Sequence, residues 1–156
     1  MAAVDPAGTP RCVMGFDVGS RRVGVALANT LSATARALAV VERNGDDWRR
    51  FDALVAEWRP DLMVVGDPLT LTGEVQEATR GARRFARQLA ARYRVPVGLV
   101  DERASSKDAD RRFAAARAAG AARRRDAALQ DARAAQIILE RWLDAGMPVV
   151  PPDEAE

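Results

Sequence analysis

The chain has 156 residues, 24 Lys+Arg against 22 Asp+Glu for a net charge of +2, one cysteine and no histidine. This length fits one domain with an ordinary core, and the missing imidazole excludes histidine-held zinc, Ser-His-Asp triads and any His general base. Cys12 alone excludes an internal disulfide framework and suits a reducing compartment, and without a signal-like start or about 18 consecutive apolar residues the chain reads as soluble and cytoplasmic, with no membrane partner.

Residues 1–10 lack periodicity and read as a flexible N-terminal tail, 11–145 as the folded domain, and the Pro- and acid-rich 146–156 as a flexible C-terminal tail. The first apolar run ends at Asp17, turns within Val18-Gly19-Ser20-Arg21-Arg22 and resumes at Val23, which predicts a β-hairpin with an acid at the end of its first strand. In open α/β sheets that edge is where chemistry gathers. A third strand is expected over 36–42, and Asn44-Gly45-Asp46 supplies a turn and a candidate N-cap. Trp48, Phe51, Leu54, Val55 and Trp58 then recur at helical spacing up to Pro60.

Leu62 to Gly66 reads as a buried strand followed by a polar loop from Asp67 to Gly73. Ala78, Ala82, Phe85, Ala86, Leu89 and Tyr93 mark one face of the next helix, and Arg80, Arg83, Arg84 and Arg87 gather on the other. That outer face reads as solvated, with contact to nucleic acid as the alternative. A second buried strand, Val95 to Val100, ends in Asp101-Glu102-Arg103, where alternation sends Asp101 and Glu102 to opposite faces. Ser105-Ser106-Lys107-Asp108 resembles a capping box for a helix ending near Gly120. After Arg123-Arg124-Arg125, Asp126 is the candidate cap of a last helix carrying Leu129, Ala132, Ala135, Ile138, Leu139, Trp142 and Leu143.

Asp131 breaks that last pattern. It shares the stripe of Ala135, Ile138 and Trp142 at spacing i, i+4, i+7, i+11, so it faces the sheet and needs a metal ion or a cation; an ion pair with an arginine, or a slipped register, is the alternative. Three acids, Asp17, Glu102 and Asp131, are thus candidates to converge. Individually, Asp17 also fits an Asx turn, and Glu102 with Arg103 a surface ion pair.

The order of elements, three strands with hairpin-like connections and then helix, strand, helix, strand and two helices, resembles the ribonuclease-H-like fold, an α/β architecture with a mixed five-stranded sheet flanked by helices. More narrowly, Gly15 to Ala26, Val64-Val65-Gly66-Asp67-Pro68-Leu69, Val100-Asp101-Glu102-Arg103 and Asp131 to Leu139 resemble the YqgF (RuvX-like) family of Holliday junction resolvases, also described as pre-16S rRNA nucleases. The resemblance implies a metal-dependent nuclease in which Asp17, Glu102 and Asp131 are catalytic and hold Mg²⁺ or Mn²⁺, two ions about 3.5 to 4 Å apart. Arg21, Arg22, Arg103, Arg123, Arg124 and Arg125 would hold phosphates.

It further implies structured RNA as partner, at the 5′ end of pre-16S rRNA. Branched DNA at a Holliday junction, or nucleic-acid binding without catalysis, are the alternatives. The chain would act as a monomer or a homodimer. Asp67 stands where the family more usually has a neutral residue, and an extra acid at the cavity would shift metal affinity or repel phosphate.

Overall fold

The computed structural model describes residues 10–102 and 124–152. Five strands, β1 (Cys12–Val18), β2 (Arg22–Asn29), β3 (Thr34–Glu42), β4 (Leu62–Asp67) and β5 (Val97–Asp101), form one sheet in the order β3-β2-β1-β4-β5. The first three are antiparallel neighbours, and β4 and β5 run parallel to β1. The helices are α1 (Arg49–Trp58), α2 (Glu77–Tyr93) and α3 (Arg124–Asp144). The mixed sheet is the one expected. The helix foreseen after Ser105 lies outside the described residues.

Strand alternation splits the core in two. Met14, Phe16, Val23, Val25, Met63 and Val65 join Phe51 of α1 and Phe85 and Leu89 of α2 on one face. There Phe85 meets Phe16 edge-on at 5.8 Å and stacks on Trp48 at 5.3 Å, geometry that adds to the burial itself. On the other face Val13, Ala26, Leu62 and Val64 pack against Ala135, Ile138, Leu139 and Trp142 of α3. No described helix is long and apolar enough to cross a membrane.

A register shift between Val25 and Ala26 leaves Leu38 of β3 without a partner on β2. This bulge frees a backbone donor, and Gln136 of α3 takes it: the Ala37 N–H donates to Gln136 Oε1 at 3.1 Å. The third strand is thereby tied to the helix that carries Asp131.

Four details differ from the sequence reading. At the start of α1 it is Asp47, not the preceding turn, whose Oδ1 accepts from the Arg49 N–H, at 3.1 Å. Helix α3 is already wound at Arg124, so Asp126 sits inside it instead of capping it. Part of the expected C-terminal tail is docked: Leu99 N–H donates to Val150 O at 2.8 Å, and Trp142 Nε1 donates to Pro148 O at 2.7 Å. These buried donors had no other route to saturation, which is what fastens the segment.

The fourth difference is Arg83. It is not on the outside: it turns under the sheet and grips Asp67 through Nε and a terminal nitrogen, both at 2.9 Å, with each side chain less than a tenth exposed. A bidentate guanidinium–carboxylate pair satisfies both charges at once. Arg83→Met is therefore expected to cost about 3 to 5 kcal/mol of stability in a urea titration, because Asp67 is left charged and buried; pairing it with Asp67→Leu should restore most of the loss.

Candidate active site

Asp17 lies one residue before the end of β1, opposite Gly24 in the β1–β2 ladder. The turn beyond it is closed by backbone, Gly19 N–H to Arg22 O at 2.9 Å. The carboxyl of Asp17 lies beside that of Glu102, near enough for the two to perturb each other. Glu102 follows β5 and is 6% exposed. The two acids come from strands separated only by β4.

Glycines make the room. A Cβ on Gly66 of β4 would stand 2.7 Å from Glu102 Oε2 and 2.6 Å from Ile138 Cδ1, so glycine leaves room for the Glu102 side chain beside the strand under α3 without displacing either side chain. A Cβ on Gly24 would stand 1.9 Å from the backbone oxygen of Asp131. The helix thus rests directly on β2, and its contact point is the residue whose carboxylate is in question. Asp131 does face the sheet, one turn beyond Ala135.

Burial and like charge raise both carboxyls at this corner. Burial, then the neighbouring Asp17 and Asp67 charges, pushes Glu102 up to about 9; burial and the Asp131 charge push Asp17 up to about 6, against the relief of its hydrogen bond to Glu102. Each of two adjacent buried carboxyls disfavours ionisation of the other. Neither is paired with a described cationic side chain. Asp131 is: Arg22 Nε meets its Oδ2 at 2.9 Å, with both side chains partly exposed. Burial still lifts the Asp131 carboxyl above its ordinary range, against the pull of Arg22.

As the side chains stand, no three of the described acids are gathered tightly enough to hold one ion. The donor set nevertheless fits an oxygen-seeking divalent cation. It offers two desolvated, adjacent carboxyls and a third that pairs with a guanidinium, and Mg²⁺ and Mn²⁺ prefer such hard anionic oxygens.

Of the expected phosphate holders, Arg21 is exposed beside the turn and Arg22 is on Asp131. Arg124 and Arg125 belong to the first turn of α3, while Arg103 and Arg123 lie outside the described residues. Asp67 does not enter the site. Alternation that sends Gly66 towards α3 sends Asp67 to the α2 face, where Arg83 neutralises it, so the expected direct repulsion of phosphate is corrected to an influence through the sheet on Glu102. Gly24 and Gly66 were the residues missed. Their signal was legible: glycine inside a valine-rich strand marks a close approach.

Residues 11–145 match the family model described as RuvX, Holliday junction resolvase. A Xanthomonas axonopodis pv. citri (strain 306) protein named "Putative pre-16S rRNA nuclease" is 54% identical over 155 residues, covering 98% of this chain and 94% of its own. A Xanthomonas campestris pv. campestris (strain B100) protein of the same name is 56% identical over 135 residues, 85% of this chain and 87% of its own. Among solved structures, Thermus thermophilus RuvC in complex with a Holliday junction substrate superposes with a TM-score of 0.56 at 20% identity, over 90% of this chain and 99% of that one. At that identity the likeness establishes the ribonuclease-H-like fold.

Proposed function

The chain belongs to the RuvX family, and from that premise we propose that it is a divalent-metal-dependent endonuclease that trims the 5′ end of pre-16S rRNA, with Asp17, Glu102 and Asp131 as its ligands. One observation supports the site: acids from three separate elements lie on the α3 face of the sheet, with Asp17 beside Glu102 and the Asp131 backbone seated on the glycine opposite Asp17. The substrate rests on the names of relatives that share more than half their residues with this chain.

Bound metal would supply an activated water and charge stabilisation for the leaving oxygen. The chain's own residues do the remainder. Glu102, walled in by Ile138 and the β4 backbone, keeps bulk water off one side; Asp17 and Glu102 ionise; Asp131 gives up Arg22. Released, Arg22 is a planar, permanently charged fork beside the reacting bond, suited to a phosphate oxygen. Arg22→Ala should accordingly tighten Mn²⁺ binding about two- to five-fold in a calorimetric titration, since the exposed pair it removes is a weak competitor, while weakening RNA binding.

The family description supports a second substrate, a four-way DNA junction. Purified chain with Mg²⁺ or Mn²⁺ should cut a pre-16S 5′ fragment, and Asp17→Asn should not. Symmetric cutting of the junction in place of the RNA would select the alternative and require a dimer. An Asp17→Asn protein that cuts as fast as its parent would sink the assignment of the site.

A further inference from the structure

The nuclease reading uses only the α3 face of the sheet, yet the opposite side carries a second concentration of charge. We propose that the cavity along α2, about 340 Å³ and lined by Val75, Arg80, Arg83, Arg84 and Arg87, is a groove for the phosphates of a polynucleotide strand leaving the acidic site. The proposal rests on the reading of this chain as a nuclease and extends it from the cleaved bond to the flanking backbone.

Arg80, Arg83, Arg84 and Arg87 stand at i, i+3, i+4 and i+7, one face of the helix over about 10 Å of its length. Like charges three and four apart destabilise a helix. Within the stack Arg83 and Arg87 already have partners, so the repulsion that an added anion would relieve falls on the exposed Arg80 and Arg84. One partner is built in: Asp67 holds Arg83 by two hydrogen bonds of 2.9 Å, which fixes that guanidinium as a rigid floor. Arg80 and Arg84 are exposed above it, and no acid is among the residues that line the cavity. The lining combines the apolar stems of the arginines and Val75 with guanidinium forks whose geometry suits phosphate oxygens.

Position ties the groove to the acids. Thr79 Oγ1 and Gln76 Nε2 both donate to Pro68 O, which clamps the start of α2 to the carboxyl end of β4. Glu102 N–H in turn donates to Asp67 O at 3.4 Å. The same two residues, Asp67 and Pro68, therefore abut Glu102 on one side and the groove on the other. A strand crossing Asp17 and Glu102 that runs off this edge meets Arg80 and Arg84 next, and the N-terminal half of α2 adds its dipole.

The test uses the cleavage-silent Asp17→Asn chain and a labelled RNA hairpin with single-stranded extensions, its affinity measured by anisotropy across a salt series. Arg80→Ala with Arg84→Ala should make the slope of log K against log salt shallower by about 1.5, two phosphate contacts' worth. Arg50→Ala with Arg59→Ala, exposed arginines of α1 and its C-cap, should leave the slope unchanged. An unaltered slope in the α2 pair, or an equal change in the α1 pair, overturns the groove. The two readings fail separately: a chain that cuts with Mg²⁺ but shows no α2-dependent slope keeps its nuclease site and loses the groove, and a chain that never cuts but shows the slope does the reverse.

Discussion

Glu102→Gln should give a protein that is inert as a nuclease and, without metal, more stable than its parent. The amide keeps the size of the side chain and can still donate to Asp17, but it removes the charge that burial and two neighbouring acids oppose. A carboxyl raised from 4.5 to about 9 on folding contributes stability that is full below the unfolded value and drains away as pH climbs towards the folded one. The parent should therefore weaken from about pH 4.5 upward, while the variant should lose this part of the decline and keep only the smaller one due to Asp17 and Asp131. Near pH 8 the difference in urea stability should be on the order of 3 kcal/mol and should vanish at acid pH. Added Mn²⁺ should stabilise the parent at high pH and leave the variant unmoved, and cleavage by the variant should fall more than ~100-fold. A variant no more stable than the parent at pH 8 would show that Glu102 is already compensated.

The second large effect is expected from a single methyl group. Gly24→Ala puts a Cβ 1.9 Å from the Asp131 carbonyl oxygen, a contact that backbone cannot tolerate. Either α3 lifts or β2 sinks. Overpacking of this kind costs about 1 to 3 kcal/mol, and a displacement near 1 Å at a reacting centre costs roughly 100-fold in rate. Gly81→Ala is the matched control: it lies within α2 with nothing inside 4 Å of the added carbon, so alanine should stabilise by about 0.5 to 1 kcal/mol through helix propensity and leave α3 untouched. Circular dichroism melting and a single-turnover cleavage assay separate the two outcomes. Equal cleavage by the two alanine variants would mean that the contact of α3 with β2 does not set the position of Asp131.

Most of the scaffold is visible in periodicity, because apolar alternation and helical stripes are what the core demands. Asp131 was identifiable as anomalous for that reason: its neighbours on the stripe, Ala135, Ile138 and Trp142, are wholly buried. Its present partner is Arg22, the alternative that spacing alone left open, since a stripe specifies a face and not a counter-charge. Arg83 was misplaced for a related reason. A helical wheel sorts residues by angle, whereas a long side chain at the boundary chooses its side by what it can reach, and Asp67 was within reach. The same alternation that separated Asp101 from Glu102 would have separated Asp67 from Gly66, had it been applied to β4. The docking of Val150 had no signal in composition, because a tail rich in proline looks the same whether or not one of its carbonyls meets a strand.

That docking also has a bearing on how copies of this chain can associate. With Val150 lying against Leu99, the outer rim of β5 is already occupied where a foreign strand would begin to zip. At the opposite rim the irregularity at Leu38 bends β3 and raises its local twist. The β5 border is thus partly covered against strand addition. A two-fold assembly able to cut two strands symmetrically would find the β5 edge less open to strand pairing than helices and loops.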